Sequence, residues 1–160
     1  MIAHLDVPAL TGVEGQPTSL SRRLVRNILQ DEFGFKGLIC TDALNMKGVT
    51  GYDTGGNASL AAFLAGNDLL LMPEDLQRDH SALLQAYNEG RLTEQRLERS
   101  VKKILMAKYK AGLHSYRPVD LQGLHDDLTA PENDLLYEKA MEQAITVLKN
   151  RADIIGIKNL

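Results

Sequence analysis

The stretch FGFKGLICTDALNMKGV, Phe33 to Val49, holds a glycine turn, a short apolar run and then a carboxylate. Leu38, Ile39, Cys40 and Thr41 form a continuous apolar run of strand length, as expected of a strand buried on both faces, and Asp42 stands where that run ends. In parallel α/β folds, the C-terminal ends of the strands are where loops converge and where chemistry is done. Asp42 is therefore a candidate catalytic carboxylate. The competing reading is that it caps the turn or helix that follows, a common use of Asp.

Outward from this stretch the same alternation repeats. On the N-terminal side, Leu24, Val25, Ile28 and Leu29 mark one face of a helix of about three turns, capped by Ser21 and stopped by Gly34. On the C-terminal side, GVTGYDTGGN is expected to be an irregular, mobile rim with few apolar anchors. A helix over Ser59 to Ala65, ended by Gly66, leads to a second apolar strand, Leu69 to Met72, closed by Pro73. The next helix carries Leu76, Leu83, Ala86 and Tyr87 as inward positions, with Asp75 as its cap. A longer one, capped by Thr93 and ended by Gly112, carries Leu97, Val101, Ile104 and Leu105. His114 to Thr129 has no clean period and reads as a surface connection. A last helix starts at Pro131 with Tyr137, Ala140, Met141, Ala144, Ile145 and Leu148 as apolar positions. Helices alternating with short apolar strands give an α/β class with a parallel sheet.

Composition narrows the functional classes. The 160 residues carry 18 basic and 21 acidic side chains, a formal net charge of -3, mixed along the sequence with no evident basic face, so nucleic acid is not an expected partner. The single cysteine, Cys40, cannot form a disulfide within the chain and reads as a small buried hydrophobe. No apolar run approaches the roughly 18 to 20 residues of a membrane span, and MIAHLDVPAL lacks the charged and apolar regions of a signal peptide; a soluble chain with no membrane partner is expected. His80, His114 and His125 lack metal-ligand spacing, and neither a metal nor any other cofactor is expected. Asp68 stands at the start of the second strand, the wrong end for chemistry.

The string from Glu32 to Met46 resembles the nucleophile segment of glycoside hydrolase family 3, and most closely its β-N-acetylhexosaminidase branch. The family pattern is E-x-G-F-x-G, an apolar strand, Ser or Thr, the nucleophilic Asp, two variable residues, a small polar residue and Met. Glu32, Gly34, Phe35, Gly37, Leu38 to Cys40, Thr41, Asp42, Asn45 and Met46 fill those places. MIAHLDVPAL with PTSLS looks like the preceding strand and its loop, AAFLAGNDLLLMPED like the last strand, and GRLTEQRLERSVKKILMAKYKAGL like the closing helix.

The resemblance implies the C-terminal part of a (β/α)8 TIM-type barrel, incomplete as given, since a whole barrel takes about 250 residues. Residues 1–113 would be its last strands and helices, and residues 114–160 a connection and helix toward a following domain. It implies a retaining glycosidase with Asp42 as nucleophile, held about 5 to 5.5 Å from an acid/base group. That partner is not found in this chain, so the chain alone is expected to be inactive. Thr41, Asn45 or loop amides would hold Asp42 ionised. His4, at a strand tip, either lines the sugar pocket or is a half-buried histidine bonded to backbone; Met46 either touches the N-acetyl group or fills core. Ala43 follows the nucleophile where glucosidase and xylosidase branches place Trp, which favours a carbohydrate substrate with a terminal β-N-acetylhexosamine. The alternatives are a β-glucosidase-type member and a non-catalytic barrel segment acting in subunit interaction. Open strand flanks would lead the chain to self-associate.

Overall fold

The computed structural model describes residues 1–52 and 57–150. The chain divides into two compact units, Met1–Tyr116 and Arg117–Leu160.

The first unit is built on parallel pairing. Strand β1, Cys40–Ala43, pairs in parallel with β2, Leu69–Leu71, and on its other side Ile2 bridges to Thr41, again in parallel. The expected order of three parallel segments is therefore present, but β1 begins two residues later than its apolar run. The reason is local. Ile39 N–H donates to the Asp68 carboxylate at 3.0 Å, and Ile39 C=O accepts from the amides of Asp68 and Leu69 at 2.7 and 3.1 Å. Ile39 thus clamps the strand's entrance, and pairing with β2 then runs from Cys40 to Ala43 with a register shift between them, one extra residue on β1.

Helix α1, Pro8–Thr11, and a 3₁₀ turn, Thr18–Leu20, follow Ile2. The helix expected after Ser21 is present as a π-type helix, Arg23–Glu32, with Val25 wholly buried. Ser21 Oγ accepts from Leu24 N–H, as a cap should, and Phe33 N–H reaches back five residues to Ile28 C=O. Gly37 lies under the ring of Phe35, which folds over it closely enough that a Cβ would come within 2.7 Å of the ring edge.

Beyond β1, helix α2, Lys47–Thr50, is a single turn and α3, Ala58–Ala65, is capped by Asn57, whose side chain accepts from Leu60 N–H. Gly66 ends α3 at φ +125, packed so closely that a Cβ would meet Gln30 Nε2 at 2.9 Å. Helix α4, Leu76–Asn88, is capped by Asp75 and α5, Glu94–Lys110, by Thr93, both as read from the sequence. Two small clusters make the core. Leu20, Leu44, Val49 and Ala62 form one, and Phe63, Ala86 and Leu92 the other.

The buried faces of α4 and α5 differ from expectation. On α4, Ala86 is buried and Leu83 half-buried, but Leu76 and Tyr87 are exposed and the third inward residue is Asp79. On α5, Leu97, Val101 and Leu105 are exposed, while Ser100 is buried and Arg96 and Lys103 turn inward to Asp68. Two carboxylates have overridden the apolar period, because a buried charge recruits donors that an apolar stripe cannot supply. Asp79 accepts from Asn57 Nδ2 at 2.5 Å and from the Ser59 hydroxyl, so it ties the start of α3 to α4. Replacing Asp79 with Ala would leave both donors unpartnered, and urea denaturation is expected to show a loss of about 1–3 kcal/mol.

In the second unit, α6, Leu124–Leu128, lies within the span read as a plain connection, and α7, Pro131–Ala144, begins with Pro in its first turn as expected. Tyr137, Met141, Ile145 and Leu148 are all exposed.

Candidate active site

Asp42 is the third of four residues in β1, and its main chain is paired on the side of Ile2. Its N–H donates to Ile2 C=O at 2.9 Å, and Ile2 N–H donates to Cys40 C=O at 2.8 Å. On the other flank, Leu44 N–H donates to Leu71 C=O at 2.9 Å. Thr41 is fully buried and its hydroxyl oxygen accepts from Leu71 N–H at 3.0 Å. Thr41 therefore braces the sheet and is not a donor to Asp42. Asn45 is exposed and makes no bond to it. The donor present is a backbone amide: Ala43 N–H reaches Asp42 Oδ1 at 2.8 Å. The half-buried carboxylate is thereby aimed from the strand end with one oxygen held.

His4 is half-buried with both ring nitrogens engaged by the protein. Nε2 donates to Ala43 C=O at 3.0 Å; in the neutral ring Nδ1 then accepts from the buried Ser19 hydroxyl at 2.6 Å. The backbone that His4 holds belongs to the residue next to Asp42. Thr18 extends this brace: its hydroxyl donates to Ala3 C=O at 2.6 Å and accepts from Leu5 N–H at 3.2 Å. Neither Thr18 nor Ser19 was singled out in the sequence. The only signal was the density of hydroxyl residues in PTSLS, a composition ordinary turns share.

Met46 is 48% exposed, so it is not core filler. Its carbonyl caps α2 by accepting from Val49 and Thr50 N–H, and Val49 beyond it is completely buried. The rim after the nucleophile candidate, read as having few apolar anchors, has one at Val49, which enters the core with Leu20, Leu44 and Ala62. Residues 53–56 of that rim lie outside the described residues. A cavity of about 80 Å³ lies behind the turn, lined by Leu44, Val49, Tyr52 and Asp79 among others, and none of Asp42, His4 or Met46 borders it. Among the described residues no group of three or more His, Cys, Asp or Glu side chains is placed to hold a metal. What the arrangement offers is one carboxylate held through a backbone amide near a strand end, with an exposed thioether four residues further along the chain.

Residues 1–107 match the N-terminal domain of glycosyl hydrolase family 3. The chain belongs to glycosyl hydrolase family 3. It is 26% identical, over 98% of its length, to a β-N-acetylglucosaminidase/β-glucosidase of Cellulomonas fimi, of which it spans 29%. Among solved structures, the family 3 β-N-acetylglucosaminidase of Paenibacillus sp. str. FPU-7 matches 89% of this chain with 32% identity and a TM-score of 0.74; 27% of that protein is covered. The β-glucoside phosphorylase BglX matches 98% of the chain with 28% identity and a TM-score of 0.85, again over 30% of its own length. Family 3 relatives thus bear hexosaminidase and glucosidase names alike, and this family 3 chain spans less than a third of each of these relatives.

Proposed function

We propose that this family 3 chain supplies the nucleophile of a retaining glycosidase acting on terminal β-N-acetylhexosaminides, with Asp42 attacking the anomeric carbon to form a glycosyl ester. The observation that carries this reading is Asp42 itself, a carboxylate at the C-terminal end of a parallel strand, pinned through its backbone and held through Oδ1. A covalent nucleophile needs that precision more than it needs mobility. Residues 1–113 make up the last strands and helices of a (β/α)8 barrel, and residues 114–160 lead toward a following domain.

Met46, exposed four residues after Asp42, is assigned to contact the substrate's N-acetyl methyl. Ala43 leaves open the wall that Trp occupies in the glucosidase branches. The second reading, a β-glucosidase-type enzyme, is favoured by the double name of the Cellulomonas fimi relative. Turnover of aryl β-N-acetylglucosaminide against aryl β-glucoside by the whole protein separates them. The hexosaminide is expected to have the higher kcat/KM, and a preference for the glucoside would move the chain to the second reading. A fluorinated hexosamine that traps the ester should label the peptide carrying Asp42, and label on any other carboxylate would remove the assigned nucleophile.

His4 is assigned a positioning role through the Ala43 carbonyl. Truncation to Ala should lower kcat by about ten- to a hundredfold, the scale of a small misplacement of a reacting group, with KM nearly unchanged. His4→Gln, whose amide can still donate to Ala43, should recover part of the loss. An increase in KM alone would mean that His4 binds sugar directly.

A further inference from the structure

The basic residues that are scattered along the sequence converge in space. A cavity of about 320 Å³ between the π-type helix and the start of α5 is lined by Arg22, Arg26, Arg91, Arg96, Arg99 and Thr93, over a floor that includes Gly66, with no carboxylate in its lining. It adjoins a second cavity bordered again by Arg26, Thr93, Arg96 and Arg99. The absence of a basic face inferred from the mixed charges is therefore corrected by the fold: a chain of net charge -3 has gathered five arginines around one opening. The opening lies beside Gly66, ahead of β2, and so at the end of the strands opposite Asp42.

Three carboxylates compensate three of these arginines from outside the lining. Asp31 pairs with Arg26 at 3.1 Å, Glu89 with Arg91 at 2.7 Å, and buried Asp68 with Arg96 at 3.7 Å, while also holding Lys103. Among the described residues, no ion pair or hydrogen bond engages the side chains of Arg22 and Arg99, and two positive charges remain uncompensated at the mouth. Arg96 is pushed below the ordinary guanidinium range, first by burial and then by the repulsion of Arg99 and Arg26, against the attraction of Asp68. An anion in the cavity would relieve that repulsion. Planar guanidinium groups match the paired oxygens of a phosphate better than those of a monovalent ion.

We propose that this arginine cavity binds a phosphate group, with Arg22 and Arg99 supplying the two charges that complement a dianion. The volume admits the group together with a small substituent, so free phosphate and a phosphorylated sugar share the same chemistry.

The test is isothermal titration of the whole protein with inorganic phosphate and, separately, with glucose 6-phosphate, at low salt. Saturable one-to-one binding is expected, weakened about tenfold or more by Arg99→Gln and likewise by Arg22→Gln, the scale of losing one charge-assisted hydrogen bond. Both side chains are exposed, so both variants should fold, and their circular dichroism melts verify it; Lys139→Gln, in the second unit, should bind as the unaltered protein does. Tighter binding of glucose 6-phosphate than of phosphate would identify a phosphorylated sugar as the occupant, and the reverse would identify free phosphate. Absence of saturable binding by both probes, binding that neither arginine substitution weakens, or binding of a nucleic-acid duplex alone would overturn the proposal. Glycosidase turnover by Arg99→Gln should be unchanged, because the cavity and Asp42 lie at opposite strand ends.

Discussion

Asp42→Asn in the whole protein is expected to reduce turnover of an aryl β-N-acetylglucosaminide by on the order of 10⁴-fold or more, the scale on which a covalent nucleophile is lost. The amide is nearly isosteric and can still accept from Ala43 N–H, whose bond to Asp42 Oδ1 is 2.8 Å long, so the strand end should keep its geometry. What disappears is the negative charge and the ability to form and release a glycosyl ester. Thermal melting should therefore be almost unchanged while kcat collapses. Small anionic nucleophiles such as azide are expected to restore part of the activity with inversion at the anomeric carbon, since an external anion can enter where the ester would have formed. Retention of a tenth or more of the activity would show that Asp42 caps the following turn and that another carboxylate attacks.

The largest stability effect is expected at Asp68. Its side chain is 1% exposed and receives Ile39 N–H at 3.0 Å, the Ser100 hydroxyl at 2.6 Å and Lys103 Nζ at 2.8 Å, with Arg96 at 3.7 Å. Arg96 in turn lies 4.2 Å over the Phe63 ring and donates to the carbonyls of Phe63 and Asn67 at 3.1 and 2.6 Å, so the carboxylate holds α5 across the entrance of both strands. Asp68→Ala leaves a mostly buried guanidinium and an ammonium without their counter-charge and a buried amide without an acceptor. Breaking such a pair from one side costs about 3–5 kcal/mol. Urea denaturation should show that loss, with Asp68→Asn intermediate because its amide oxygen still serves Ile39. Asp31→Ala breaks an exposed pair and should cost less than about 1 kcal/mol. Equal costs for Asp68→Ala and Asp31→Ala would mean that α5 is held by its apolar contacts alone.

The sequence by itself determined the alternation of helices and short apolar strands, the caps at Asp75 and Thr93, the glycine stops at Gly34 and Gly66, and the position of Asp42 near a strand end. These are local properties: a cap needs only its own helix's amides, and a positive φ needs only the absence of a Cβ. The family, too, was legible, because its motif is a contiguous stretch around the turn and strand that present the carboxylate. Only the tertiary structure decided the rest. Leu97, Val101 and Leu105 have the period of a buried face, yet α5 turns Arg96, Ser100 and Lys103 inward, because the carboxylate that recruits them is about thirty residues away in sequence. Thr41 looked like a partner for Asp42 until its hydroxyl oxygen was found accepting from Leu71 N–H, and the engagement of both His4 ring nitrogens, by Ser19 and Ala43, has no signal in the sequence. The arginine cavity gathers Arg22 and Arg26 with Arg91, Arg96 and Arg99 across a gap of some seventy residues. Charge along a sequence can be summed, but the field it makes depends on distance in space, and only the fold sets those distances.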